Sequence, residues 1–408
     1  MKQLLLYILI IPFLVLIYSC AGMEVNTSAL TEAEEIELSV QVKLTETTGT
    51  RGAESETAIG IVPDLTGNLL ILLVKTDGII DDIIIADASQ VLAPATGVKL
   101  KFNRTEIKYI YVIGNVENNK MAVNSTPYAD AVSLKTALNG KKIGDLQYII
   151  ANQGDGCLDP YKVNVAGRAY TGNLNQGMDH IIIPVCPAIS RIEIGELKST
   201  DGTTFKLEEI FIDNNFHKMG ADYVTYPAAT DFLAINWSDQ EFDDGSYPAA
   251  FWYKLSPASA VSTSTKPGNG YWSFYVSPAQ QENTDPATKT DIPYLGNWIA
   301  PCPNNVSSPV LFSAIPLILF KISDITPATG NKDANNKSWL TVRKFLKKED
   351  NSPIPYLEPG KVYQIEAVTF TEKNIGPEPI SEPNGVNAIV KVQEWSEPSG
   401  TLPGPIGF

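Results

Sequence analysis

Residues 36–44 alternate without a fault: Ile36, Leu38, Val40, Val42 and Leu44 are apolar, with Glu37, Ser39, Gln41 and Lys43 between them. Successive side chains of an extended chain point to opposite faces. The five apolar groups therefore share one side and predict a strand with one buried face. Runs rich in Ile, Val, Tyr and Phe, bounded by Gly, Pro, Asn and Asp, predict further strands at 69–74, 79–86, 107–114, 181–185, 190–194, 208–213, 271–276, 310–322 and 361–370. One short helix is predicted in the N-terminal half. Thr126 suits its cap, Pro127 its first position and Gly140 its stop, and Ala131, Leu134 and Leu138 share one face. Many short strands with this punctuation predict an all-β chain of stacked sheets.

A boundary is expected near Pro187, because 189–194 opens a new alternating run. It divides the chain into an N-terminal β-sandwich domain at 52–187 and a C-terminal one at 188–408, both of ordinary domain size. The stretch 221–304 is rich in Tyr, Trp, Pro, Ser and Asp and reads as decorated loops rather than a third core. Its tryptophans, Trp237, Trp252 and Trp272, read either as core or as an exposed binding surface.

The first residues add an address. Lys2 precedes an apolar run at 4–18 interrupted only by Pro12. This is short for a membrane span, which needs about 20 residues, and suits the core of a signal peptide at 1–19. The run ends Leu16-Ile17-Tyr18-Ser19-Cys20-Ala21-Gly22, which resembles a bacterial lipobox with Cys20 as the lipidated residue. Downstream, 45–56 is a polar stretch with no core-forming residue, and Arg51 is the only basic residue between Lys43 and Lys75. An exposed polar loop with one arginine suits a trypsin-like protease cutting between Arg51 and Gly52. Residues 20–51 then read as a propeptide carrying a removable first strand.

Charge and chemistry exclude more than they identify. Asp and Glu number 46 against 31 Lys and Arg, a net charge of −15, opposite to the basic face of a nucleic-acid binder. Among 408 residues there are two histidines, His180 and His217, and they form no metal-binding pair. Cys157, Cys186 and Cys302 match no zinc pattern, and no disulfide is assigned to them. Asp81-Asp82 and Asp243-Asp244 are neighbours in sequence, so on a strand each pair splits between two faces. The Gly- and Asp-rich stretch 152–159 lacks the ligand spacing of a calcium loop. No nucleophile elbow or phosphate loop follows a strand. The expectation is a non-enzyme without metal or cofactor.

In this order, the lipobox, the alternating strand and the Arg51-Gly52 junction resemble the fimbrillin family of pilin lipoproteins from Bacteroides- and Porphyromonas-type bacteria. Gly67-Asn68-Leu69-Leu70-Ile71-Leu72-Leu73 and Tyr109-Ile110-Tyr111-Val112-Ile113-Gly114-Asn115 are similar to its first-domain strands. Ile189-Ser190-Arg191-Ile192-Glu193-Ile194 and the run 205–214 are similar to the opening of its second domain, and 356–365 and 388–395 to its last strands. One departure is Gly52, where the family often has Ala.

The resemblance implies two transthyretin-like β-sandwich domains of Greek-key topology. It also implies a precursor held in the outer membrane by lipid on Cys20, an Arg-specific extracellular protease, and loss of the strand bearing Ile36, Leu38, Val40, Val42 and Leu44. A strand from another fimbrial subunit then fills the groove, building a cell-surface fimbrium for adhesion. Candidate donor residues are Ala388, Val390 and Val392, or Leu402, Ile406 and Phe408 in the proline-containing stretch 396–408. The alternative is a fimbrial tip adhesin or a glycan-binding surface lipoprotein. Burying five such side chains is worth up to about 7–15 kcal/mol. That equals the whole stability of a typical domain, about 5–15 kcal/mol.

Overall fold

A computed structural model of the chain describes residues 35–44, 58, 63–92, 97–153, 160–174, 178–222, 232–233, 249–278, 298–300, 310–312, 316–328, 338–354, 357–379 and 385–395. The fold is all-β, and two large sheets of seven and eight strands carry it. The first sheet is built from β1 (Glu35–Leu44), β2 (Asn68–Lys75), β3 (Ile80–Asp87), β4 (Val98–Asn103), β5 (Ile107–Gly114), β6 (Val165–Tyr170) and β7 (His180–Pro187). Their spatial order is β3-β2-β5-β6-β7-β1-β4. The second sheet takes β8 (Ser190–Ile194), β9 (Thr204–Asp213), β10 (Trp252–Lys254), β11 (Trp272–Val276), β12 (Leu317–Thr326), β13 (Trp339–Lys347), β14 (Lys361–Ile365) and β15 (Val386–Glu394). Its order is β10-β9-β12-β13-β15-β14-β8-β11.

β2 shows why the layers stack as they do. Every residue from Leu69 to Val74 is buried, so both faces of the strand are covered. Leu69, Ile71 and Leu73 join one apolar cluster with Leu38, Val40, Val42, Leu100, Phe102, Ile183 and Val185. The first sheet therefore curls until β1, β4 and β7 pack across from β2. Leu70, Leu72 and Val74 face a second cluster that continues through Ile192, Phe205 and Ile210 to Val390 and Trp395. That cluster contains residues of both large sheets.

Three local expectations are corrected. Thr126 and Pro127 belong to a short strand, Thr126–Tyr128, paired with Met121–Val123. Asn124 and Ser125 turn between them at φ 46° and 68°. The helix α1 (Ala131–Leu138) starts later, capped by Asp130, whose side chain accepts from the Val132 and Ser133 backbones. It buries Ala131, Leu134 and Leu138 as its spacing predicts. The run 310–322 is two strands in different sheets: Val310–Phe312 pairs with Trp298–Ala300, and β12, which begins directly after Pro316, belongs to the eight-stranded sheet. The run 361–370 divides at Glu366-Ala367, which send β14 and Val368–Phe370 into different sheets.

Candidate strand-exchange groove

β1 comes first among the described strands yet lies inside its sheet, with a neighbour on each side. It runs antiparallel to β4, pairing Ile36 with Phe102, Leu38 with Leu100 and Val40 with Val98. It runs parallel to β7, pairing Val40 with Ile181, Val42 with Ile183 and Leu44 with Val185. Leu38 and Val40 are fully buried, Val42 nearly so, and Ile36 packs at the margin of the same cluster. The backbone of Leu44 keeps the strand register; its side chain lies outside the description. The single face predicted by alternation is thus the face that fills the core.

The opposite face of β1 carries charge. Lys99 Nζ lies 3.1 Å from Glu37 Oε1, and Lys101 Nζ lies 2.9 Å from Glu35 Oε1. Ser39 N–H donates to the Asp179 carbonyl at 2.8 Å, just before β7. Strip β1 away, and β4 and β7 each expose one edge beside an apolar trough, the condition under which sheets capture extended chains.

Cys20, Arg51 and Gly52 lie outside the described residues. The chain returns at Ala58, which is fully buried and whose N–H donates to Glu193 Oε1 at 2.6 Å. Glu193 is itself buried against Arg191, with Nε to Oε1 at 3.0 Å and neither side chain exposed. The Arg191 guanidinium sits 5.6 Å from the Tyr275 ring centre and 5.9 Å from that of Trp395. These two rings stack at 5.8 Å and 14°. Gln364 Nε2 donates to Glu193 Oε2 at 3.3 Å. The segment that follows the candidate cleavage site and the residue just past β15 meet on one buried ion pair. Sequence reasoning named Arg191 and Glu193 only as family-like positions and gave no sign that both are buried.

The described part of the candidate donor is built into its own sheet. β15 pairs parallel with β13 on one side and antiparallel with β14 on the other. Ala388 and Val390 are buried, and Val392 packs partly buried against the same core. Donating these residues would remove a central strand from the second sheet. Leu402, Ile406 and Phe408 lie outside the described residues.

Of the two readings left open for the tryptophans of 221–304, the described ones take the packing one. Trp272 is buried in β11. Trp252 stacks on Phe211 at 6.0 Å and 5° and donates its indole N–H to Glu209 Oε2 at 2.9 Å. Both serve packing. Trp237 lies outside the described residues. Cys186 carries no disulfide and lines a small cavity with Tyr111, Arg168 and Pro359. Cys157 and Cys302 lie outside the description. Among the described residues, no three His, Cys, Asp or Glu side chains gather as a metal site. Asp81 is engaged by Lys75 at 2.7 Å, and His180 Nδ1 lies 2.7 Å from Asp179 Oδ1 on the surface.

No protein-family model matches the chain, and no curated protein matches it. Solved structures do. A candidate cell adhesion protein from Parabacteroides distasonis is 15% identical with a TM-score of 0.47, covering 89% of this chain and 99% of that one. A fimbrilin from Porphyromonas gingivalis W83 is 12% identical with a TM-score of 0.43, covering 88% and 98%. The tip fimbrial protein Mfa3 of Porphyromonas gingivalis, with a C-terminal truncation, is 10% identical with a TM-score of 0.38, covering 88% and 100%. Overlap of this degree carries no functional argument by itself.

Proposed function

We propose that the chain is a structural subunit of a cell-surface fimbrium, made as a lipoprotein precursor and polymerised by strand replacement. The observation that carries this reading is β1, an N-terminal strand with Leu38, Val40 and Val42 buried between β4 and β7. Its connection to the rest of the chain runs through the polar stretch holding Arg51. In this reading lipid on Cys20 holds the precursor in the outer membrane. An Arg-specific extracellular protease cuts after Arg51, and β1 leaves. A strand from a neighbouring fimbrial subunit then takes its place. Backbone pairing along both walls and burial of alternate side chains make the joint durable without a covalent bond.

The test is protease treatment of the purified precursor, read by intact mass and by unboiled gel electrophoresis. A product beginning at Gly52, a ladder of SDS-resistant multimers, and an Arg51→Ala variant that stays monomeric are expected. Normal polymers from Arg51→Ala protein would refute the reading.

A further inference from the structure

Apolar alternation alone cannot choose a register. A strand slid by two residues presents the same apolar face to the core, so the trough beneath β1 accepts several alignments of any alternating segment. The outer face narrows that choice. In the ladder Lys101 stands opposite Glu37 and Lys99 opposite Ser39. Each lysine reaches diagonally, Lys101 to Glu35 and Lys99 to Glu37. A two-residue slip one way brings Ser39 into the diagonal position that Glu37 holds against Lys99 and so breaks one pair. A slip the other way sets Glu37 directly opposite Lys99 and Glu35 directly opposite Lys101, trading the diagonal pairs for direct ones.

We propose that Lys99 and Lys101 select the strand that occupies this groove. The occupant they fit is a segment of a partner subunit with carboxylates two residues apart on the face opposite its apolar anchors. β1 satisfies both lysines. The stretch 396–408 of this chain carries one acidic side chain, Glu397, and so satisfies one at most. β1 therefore outranks this chain's own C-terminal segment, and an acidic donor outranks both a neutral and a basic one. This rests on the strand-replacement reading. It adds which strand is taken and one direction in which it cannot slip without losing a pair.

The experiment uses full precursor cut after Arg51 and a fluorescent peptide of sequence 34–44. Unlabelled competitors are the same peptide and its Glu35→Lys/Glu37→Lys form. At low salt the charge-reversed peptide is expected to compete roughly 10-fold less well, since two pairs are lost and two repulsions gained. The gap should close in 1 M salt, where the screening length falls to about 3 Å. Lys99→Glu/Lys101→Glu protein should invert the preference. Equal competition by both peptides at low salt would overturn the charge selection while leaving strand replacement standing. Uptake of neither peptide would overturn strand replacement and the selection with it. The salt arm uses unaltered protein, so a variant that fails to fold does not spare the proposal.

Discussion

Gly97 stands against Ser39 so closely that a methyl group on the glycine would lie 2.2 Å from the serine Oγ. The Val40 carbonyl would be 3.0 Å away, and Gly97 itself sits at φ +49°. Position 97, just before β4, thus needs a residue without a side chain for two separate reasons. Gly97→Ala is expected to destabilise the precursor by roughly 1–3 kcal/mol, read by urea unfolding. After cleavage at Arg51 it should also speed the release of β1, because Ser39 must shift.

Leu38→Ala deletes a fully buried side chain from the middle of β1. The expected loss is about 2–5 kcal/mol in the uncut precursor. In polymer whose grooves hold a donor instead, the same substitution should change nothing. A loss below about 0.5 kcal/mol in the precursor would mean that β1 contributes no core.

Glu193→Ala leaves the Arg191 guanidinium buried without its carboxylate and the Ala58 N–H without its acceptor. Loss of one partner from a buried pair costs about 3–5 kcal/mol. The double variant Arg191→Leu/Glu193→Ala should cost less than the sum of the two single ones, since the stranded charge is gone as well. Denaturant unfolding of the four proteins measures this.

Asp201 gives the fold an acid-sensitive link. Burial raises its carboxyl, but donors from the Glu372 and Thr203 backbones and the Ser199 hydroxyl outweigh that and hold it at about 2, below the usual 3.8. The Glu372 N–H to Oδ2 contact is 2.7 Å and joins residues 171 apart. A carboxyl lowered by folding stabilises above its unfolded value and loses that contribution as pH falls toward 2. Asp201→Asn should remove about 1 kcal/mol at pH 6 and nothing further near pH 2. Parallel acid unfolding curves for the two proteins would contradict this.

Deleting 396–408 should spare folding, since β15 and Trp395 complete the second sheet without it. The truncated protein should fail to extend a fibre yet still accept a donor, and so cap wild-type polymers when mixed in. A full multimer ladder from the truncated protein alone would remove that segment from the donor role.

What the sequence made legible follows physical rules that act locally. The alternation of Ile36 to Leu44 predicts β1 and its buried face, because period two leaves no other arrangement of those side chains. Ala131, Leu134 and Leu138 predict the helix face for the same kind of reason. The error at Thr126 has a local cause too. Thr and Pro suit a helix start, but Asn124 and Ser125 form the two-residue turn of a hairpin and Asp130 caps more strongly. Arg191 and Glu193 were illegible in a different way. Their alternation with Ile192 and Ile194 suggests an outward polar face, and only a further layer, with Ala58, Tyr275 and Trp395, turns that face inward. No window of sequence contains that layer. The charge pairs of β1 were hidden likewise, since Lys99 and Lys101 lie more than 60 residues from Glu35 and Glu37 in the chain.

The meeting of Ala58 and Trp395 on one ion pair has a mechanical consequence. In the strand-replacement reading proposed above, a fibre would transmit force from subunit to subunit through its strand joints, and a pull on the C-terminal segment would enter the fold at Trp395. That residue directly follows β15, a strand with hydrogen-bonded neighbours on both sides, and its N–H is held by the Gly360 carbonyl at 2.8 Å. Tension along β15 therefore shears two ladders together instead of peeling one bond at a time. The stacked rings and the Arg191–Glu193 pair tie that point to Ala58, so load entering there also bears on the segment that follows Arg51.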